Sequence, residues 1–243
     1  MLIHVRRLLA LLLLAMTTTA LVACGAGDAA PSTASPAALG PAEILRRTSV
    51  RLADTHSTHF KLTVDGVTYV DEARTIELLG AEGDLERPDR VRTTFKAKVR
   101  RGVNVTIELI TIGDQSWSTD LISGKWGPAP AEFGYSPTVL FDNQDGIGPV
   151  MNKIIEPVQR EDGELAGREV FRISGQGPGA IIRPLTMSTM VGEPVGVDLW
   201  IDRETYDLLR VMLTEPDSAD KTGATWMLDL SRHDEQVSIE PPV

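Results

Sequence analysis

The stretch Val103-Asn104-Val105-Thr106-Ile107-Glu108-Leu109 has an apolar side chain at every second position and a polar one between. Successive side chains of a strand point to opposite faces, so this alternation predicts a strand with one face buried and the other in water. One-sided strands of this kind are typical of antiparallel sheets, because parallel sheets are usually covered on both faces. The same pattern predicts further strands at 60–64, 74–86, 91–100, 168–174, 195–202, 206–214, 224–231 and 236–240.

Helical patterns are few. Pro41 to Thr55 has apolar residues at helical spacing and a proline suited to a first helical turn. Ile147 to Val158 is the second candidate, and in 179–191 we expect Pro184 to break or kink any helix. Gly175, Gly177 and Gly179, interrupted by Pro178, are expected to form a loop.

The resulting fold class is α+β, with one large antiparallel sheet and a few helices. A sheet with one apolar face has to cover that face. Either the sheet closes into a barrel, or it curls around the helices and leaves an apolar space between. The pattern alone leaves both alternatives open.

The N-terminus has the organisation of a secretory signal. Arg6 and Arg7 precede the leucine-rich run Leu8–Met16, small residues follow, and the segment ends in Leu21-Val22-Ala23-Cys24. The run is short for a spanning helix, which needs about 20 apolar residues. The last four residues resemble the lipobox of bacterial lipoproteins, which implies cleavage before Cys24 and acylation of that cysteine, including palmitate-type chains.

The signal divides the chain into three predicted parts. Residues 1–23 are a lipoprotein signal peptide, 24–41 are the lipidated cysteine with a flexible tether of Gly, Ala, Pro, Ser and Thr, and 42–243 are a single domain. Cys24 is the only cysteine, so no internal disulfide is expected. Without residues 1–23 the chain has 22 basic and 34 acidic residues, a formal charge of −12. Such a charge disfavours nucleic acid as a partner.

No catalytic or metal-binding pattern is present in the sequence. There is no His-Glu-x-x-His motif and no Gly-x-Ser-x-Gly elbow, and His56 and His59 are expected to be surface residues. We therefore predict neither an enzyme nor a cofactor or metal.

The order of several short motifs resembles the LppX/LprG/LprA/LprF lipoprotein family of mycobacteria. After the first helix these motifs are Ile112-Gly113-Asp114-Gln115-Ser116-Trp117, Gly124-Lys125-Trp126, the segment 140–155 with Asp145-Gly146-Ile147, Gly167-Arg168-Glu169-Val170-Phe171, Val197-Asp198-Leu199-Trp200-Ile201-Asp202-Arg203, Leu228-Asp229-Leu230-Ser231 and Val237-Ser238-Ile239-Glu240-Pro241-Pro242. The resemblance covers most of residues 42–242.

The resemblance implies a half-barrel sheet with helices on its concave side, as in the LolA and LolB carriers, and a hydrophobic cavity between them. It implies an acylated lipid or glycolipid as ligand, carried across the cell envelope, with a membrane transporter as a candidate partner. The protein would be anchored through Cys24 on the extracytoplasmic face of the cell membrane. The alternative is an envelope sensor or protein-interaction lipoprotein that uses the same half-barrel to regulate a partner.

The apolar phase of the strands and one helix supply the candidate cavity residues. These are Phe60, Leu62, Phe95, Val99, Ile107, Leu109, Ile154, Ile155, Val197 and Leu199. An adaptable rim is predicted in the Gly-, Pro- and Met-rich stretch 177–194, with Ile181, Ile182, Leu185, Met187 and Met190.

Overall fold

The alternating stretches form the strands of one antiparallel sheet. In the computed structural model, residues 39–71, 73–99, 102–130, 137–218 and 221–242 are described. The predicted signal peptide, Cys24 and most of the tether lie outside these residues. Residues Leu39–Val243 form one compact unit. Among the described residues, the buried apolar cluster extends from Ile44 to Leu230, within this unit.

Twelve strands make up the sheet within the described residues. They are β1 (Ser57–Asp65), β2 (Glu77–Glu86), β3 (Arg90–Val99), β4 (Val103–Ile112), β5 (Gln115–Thr119), β6 (Trp126–Pro128), β7 (Ile155–Gln159), β8 (Gly163–Leu165), β9 (Arg168–Gly177), β10 (Val195–Asp202), β11 (Leu208–Thr214) and β12 (Thr225–Ser231). Their order is β6-β5-β4-β3-β2-β1-β12-β11-β10-β9-β7, with β8 paired to β9. Since β6 and β7 stand at opposite edges, the sheet is open and not a closed barrel.

Three α-helices accompany the sheet in the described residues: α1 (Pro41–Asp54), α2 (Ile147–Met151) and α3 (Gly179–Ile182). Two 3-10 helices, Pro137–Phe141 and Arg183–Thr186, extend the covering segments. The predicted first helix is confirmed, with Pro41 in its first turn. The predicted interruption at Pro184 is confirmed too, because α3 gives way there to a 3-10 turn.

Two predicted elements are wrong. The helix expected over 147–158 ends at Met151, and residues 155–159 form edge strand β7, because Pro157 cannot supply the N–H of a helix interior and β9 offers a pairing edge. No strand forms at 236–240. That segment crosses the strand ends instead, where the carbonyl of Glu235 accepts a bond from Ser57 and that of Ile239 accepts one from Arg90.

Candidate functional site

The strand register aligns apolar side chains in a continuous row across one face of the sheet. Successive paired positions in this row are Leu199, Val211, Leu228, Leu62, Ala81, Phe95 and Ile107. All seven lie on one face of the sheet, because side chains alternate between the two faces along each strand and directly paired residues share a face. This row is the middle of the concave face.

The helices fill part of that face and bridge the rest. Ile44, Leu45 and Leu52 of α1 are buried in the same cluster as the strand residues. Residues of α2 and of the 179–187 segment join this cluster from the same side. Leu62 and Phe95 are nevertheless only half-buried although they lie mid-sheet. Space therefore remains between the sheet and its cover.

This space is an apolar pocket. Nineteen of its twenty lining residues are hydrophobic, and the exception, Thr186, donates its hydroxyl to the carbonyl of Ile182 at 3.2 Å. The atom-free space is about 870 Å³ with the open mouth counted, but the part reached by the centre of a water molecule is only about 80 Å³. The pocket is therefore narrow in this conformation. Its lining comprises Phe60, Leu62, Leu78, Ala81, Phe95, Leu140, Ile147, Val150, Met151, Ile154, Ile182, Leu185, Thr186, Met187, Val197, Leu199, Val211, Leu213, Trp226 and Leu228.

Two glycines of β9 allow the cover to approach the sheet closely. A Cβ on Gly175 would lie 2.4 Å from Cγ2 of Ile154, and one on Gly177 would lie 2.8 Å from the side chain of Ile182. The sequence-based expectation that these two glycines form a loop is wrong, because both belong to β9. They are strand glycines at a close approach between elements.

The cover is fastened at one end of the strands by a buried carboxylate. Glu215 follows β11 and accepts bonds from the N–H groups of Val191 at 2.8 Å and Gly192 at 3.0 Å, and it pairs with Lys221 at 2.5 Å. Burial opposes ionisation, but the bonds from Gly192 and Lys221 outweigh it and lower the pKa of Glu215. Glu215 thus ties the end of the 179–193 segment to the sheet.

A second anchor lies at the opposite end of the strands. Arg87, in the β2–β3 turn, donates to the carbonyls of Thr55 at 2.7 Å, Leu52 at 2.9 Å and Phe141 at 2.7 Å. Two of these carbonyls are at the C-terminal end of α1, where carbonyls lack the usual donor four residues on, and that of Leu52 also accepts the N–H of Thr55 at 3.3 Å. Burial lowers the pKa of Arg87. The residue links α1, the 137–141 helix and the sheet.

The predicted cavity residues divide into two groups. The pocket is lined by Phe60, Leu62, Phe95, Ile154, Val197 and Leu199. Ile107 and Leu109 are buried on the same face but lie outside the lining, and Val99 is half-buried at the end of β3. Ile155 is 48% exposed at the start of β7, so its assignment to the cavity is wrong. The assignment assumed a helix through residue 158, whereas Ile155 is part of the edge strand that pairs with β9.

The predicted rim residues divide as well. Ile182, Leu185 and Met187 form part of the pocket wall. Met190 is buried and Ile181 half-buried, and neither lines the pocket.

Sequence reasoning missed the lining residues of β2, β11 and β12. Val211, Leu213, Trp226 and Leu228 alternate with half-buried or exposed neighbours, as the chosen candidates on the other strands do. Their alternation was the available signal. Leu78 and Ala81 are separated by a register shift in β2, which hides the period-two pattern there.

The titratable side chains of the described residues do not form a metal site. No set of three or more His, Cys, Asp or Glu side chains is placed to hold a metal ion in that part of the chain. His56 is exposed, as expected, whereas His59 is half-buried and contacts Asp84 at 2.8 Å. In the same described ranges, no helix is long and apolar enough to cross a membrane.

The fold and the site of residues Leu39–Val243 are those of an open half-barrel with an apolar interior. Residues 40–239 match the LppX_LprAFG lipoprotein family, and the chain belongs to that family. Membership in a lipoprotein family implies a location at a membrane of the cell envelope.

Three comparisons show how similar the chain is, in sequence and in structure, to mycobacterial proteins. LprF of Mycobacterium bovis and of Mycobacterium tuberculosis is 23% identical over 197 residues, covering 78% of this chain and 74% of the relative, and its name proposes transport of diacylated glycolipids. The crystal structure of LprF from M. bovis superposes with a TM-score of 0.66 at 20% identity, covering 83% of this chain and 96% of that one. The structure of LppX from M. tuberculosis gives 0.58 at 13% identity, covering 82% and 97%. At 20% and 13% identity, these structural similarities are similarities of fold.

Proposed function

We propose that this protein binds acylated lipids or glycolipids in the apolar pocket and carries them across the cell envelope without catalysing a reaction. The observation that carries the proposal is the pocket itself, walled by nineteen hydrophobic residues and one satisfied threonine. A space of this composition offers nothing to a polar solute. Apolar groups gain about 25 cal/mol for each Å² removed from water. The transport name of the relative LprF points to the same ligand class.

The proposed ligand gains affinity mainly from its chains. Each buried methylene contributes about 0.8 kcal/mol, so a 16-carbon chain offers on the order of 12 kcal/mol before the costs of binding. Such binding depends on chain length more than on the headgroup. We therefore expect a range of acylated lipids to bind, with the headgroup exposed at the mouth.

Loading requires the cover to move. A cavity holds one water molecule when about 10–15 Å³ of it is open to the centre of that molecule. By the same measure the pocket has only about 80 Å³, which is too small for a long acyl chain. The covering segment 179–187 consists of a four-residue helix, a four-residue 3-10 helix and Met187, and both Met187 and the next residue, Ser188, are at positive φ. Short elements with strained ends are inexpensive to displace. We infer that this segment and α2 shift outward when lipid enters.

The anchor of the carrier is the acylated Cys24 on the extracytoplasmic face. Two acyl chains suffice for stable attachment. Labelling of cells with a radioactive fatty acid should mark the wild-type chain, and a Cys24→Ala variant should be unlabelled. Label that persists in the Cys24→Ala variant would contradict this part of the proposal.

Carriage is tested by transfer between vesicles. Donor vesicles hold a twin-chain lipid with one pyrene-labelled chain, and acceptor vesicles hold none. The chain from residue 25 should speed the loss of pyrene excimer emission, and Ala81→Leu should not. Lys61→Ala, an exposed change on the other face of β1, serves as the control and should transfer as the wild type does. No acceleration by the wild type would favour the alternative, a sensor or interaction lipoprotein.

A further inference from the structure

Large apolar side chains are exposed along one end of the sheet. In an antiparallel sheet, the β1–β2, β3–β4 and β5–β6 connections all lie at the same end, and they are neighbours because these strands are consecutive in the sheet. Each connection has an exposed apolar residue at or beside it. We call these residues the apolar rim: Val67, Tyr69, Val103, Leu121 and Ile122, which are 48%, 37%, 54%, 51% and 97% exposed.

The β5–β6 connection presents its two aliphatic residues in a fixed turn. One carboxylate oxygen of Asp120 accepts bonds from the N–H of Ile122 at 3.1 Å, the N–H of Ser123 at 2.7 Å and the hydroxyl of Ser123 at 2.8 Å. The N–H of Gly124 bonds the carbonyl of Asp120 at 2.9 Å. The polar groups of the turn are thus directed inward, and the side chain of Ile122 is left in water.

Two residues that follow the Leu121–Ile122 tip of this turn, Lys125 and Trp126, suit a boundary between water and lipid. Lys125 is exposed and Trp126 is half-buried at the start of β6, where Trp126 pairs with Thr119. Tryptophan is enriched at the headgroup level of membranes, and lysine can extend its charge toward water while its methylenes lie in apolar surroundings. An aliphatic tip backed by this pair matches the depth profile of a lipid surface.

The rim is at the pocket end of the sheet. The pocket extends from the middle of the sheet toward this end, where Leu78 is the second residue of β2 and Leu213 is the last but one of β11. Both positions are on the side of the β1–β2 connection. Glu215, which fastens the cover, follows β11 at this same end.

We propose that the apolar rim, led by Leu121 and Ile122, inserts into the surface of a lipid bilayer and sets the pocket end of the domain against the membrane. This proposal rests on the proposed function as a membrane-anchored carrier. The fifteen chain steps from Cys24 to Leu39 extend to at most about 50 Å. A domain of this size has a radius of gyration of about 17 Å, so the anchored chain allows the rim to reach the bilayer. With a chain charge of −12 after residue 23, contact depends on apolar insertion and not on attraction to anionic lipid.

Flotation with phosphatidylcholine vesicles tests the rim without the anchor. The protein is the chain from residue 25, which contains the compact unit Leu39–Val243. We expect it to float with the vesicles, equally at low and high salt because screening does not weaken apolar burial. The double variant Leu121→Ser/Ile122→Ser should partition at least about tenfold more weakly, since each buried aliphatic side chain is worth roughly that factor. The control Val50→Ser/Val158→Ser removes two side chains that are 53% and 47% exposed elsewhere, and it should float as the wild type does.

Lipid content of the same proteins, measured by native mass spectrometry, separates the two proposals. Failure of the wild type to float, or equal loss in the control, overturns the rim proposal whether or not lipid is retained. Rim-dependent flotation of a protein that holds no lipid supports the rim and contradicts the carrier function. Rim-dependent flotation with lipid retained in the double variant supports both.

Discussion

Replacing Ala81 by leucine should stabilise the protein and abolish lipid binding together. Ala81 lies on the pocket floor between Leu62 and Phe95 and is 6% exposed. Leucine adds three carbon atoms, and each is worth about 0.8 kcal/mol when it fills apolar space, so the free energy of unfolding should rise by up to about 2 kcal/mol. In an already packed core the same change costs about 1–3 kcal/mol. The sign of the effect therefore reports whether the space is real.

Ala97 supplies the matched control. It lies on the same face of β3, is 3% exposed, and does not line the pocket. Ala97→Leu changes the strand propensity by the same amount, but it should destabilise the protein because Ala97 is buried away from the pocket. Urea unfolding gives both free energies, and native mass spectrometry with an offered twin-chain lipid should show at least tenfold weaker binding for Ala81→Leu. Destabilisation of Ala81→Leu to the same degree as Ala97→Leu would show that no unfilled space lies beside Ala81.

Three further substitutions test how the cover is held. Glu215→Gln should lower the free energy of unfolding by about 1–3 kcal/mol at pH 7. Because the pKa of Glu215 is lowered in the folded state, its stabilisation is complete above the unfolded pKa near 4.3 and is lost as pH falls through the folded value. The free energies of unfolding of the wild type and the variant, measured with urea, should therefore converge at acid pH. Arg87→Met removes three bonds to carbonyls and should cost about 1.5–3 kcal/mol and speed amide exchange at the end of α1, whereas the exposed Arg92→Met should do neither. Gly175→Ala should displace Ile154 and destabilise by about 1–3 kcal/mol, while Gly127→Ala, with open space around it, should be within about 0.5 kcal/mol of the wild type by thermal unfolding; equal effects would contradict the close approach.

The sheet was predictable where period two is strict. Val195 to Ile201 alternates without interruption, and one face follows directly from that pattern. The edge strands were harder. Residues 155–159 continue a helical spacing of apolar residues, and only pairing with β9, a long-range contact, makes them a strand.

The pocket was predictable only in part, because the pattern identifies a face and not what covers it. Leu199 and Ile107 have the same alternation and lie in the same cross-strand row, yet only Leu199 lines the pocket. The difference depends on which helical segment packs above each residue. That is decided by tertiary contacts such as those of Arg87 and Glu215, which join positions distant in sequence.

Native mass spectrometry of the chain from residue 25, purified from a bacterium without detergent, tests the carrier function most directly. We expect a one-to-one complex whose extra mass, after extraction, is an acylated lipid, and we expect no such complex for Ala81→Leu purified in the same way. A lipid-free wild type that also takes up no offered glycolipid would contradict the carrier function.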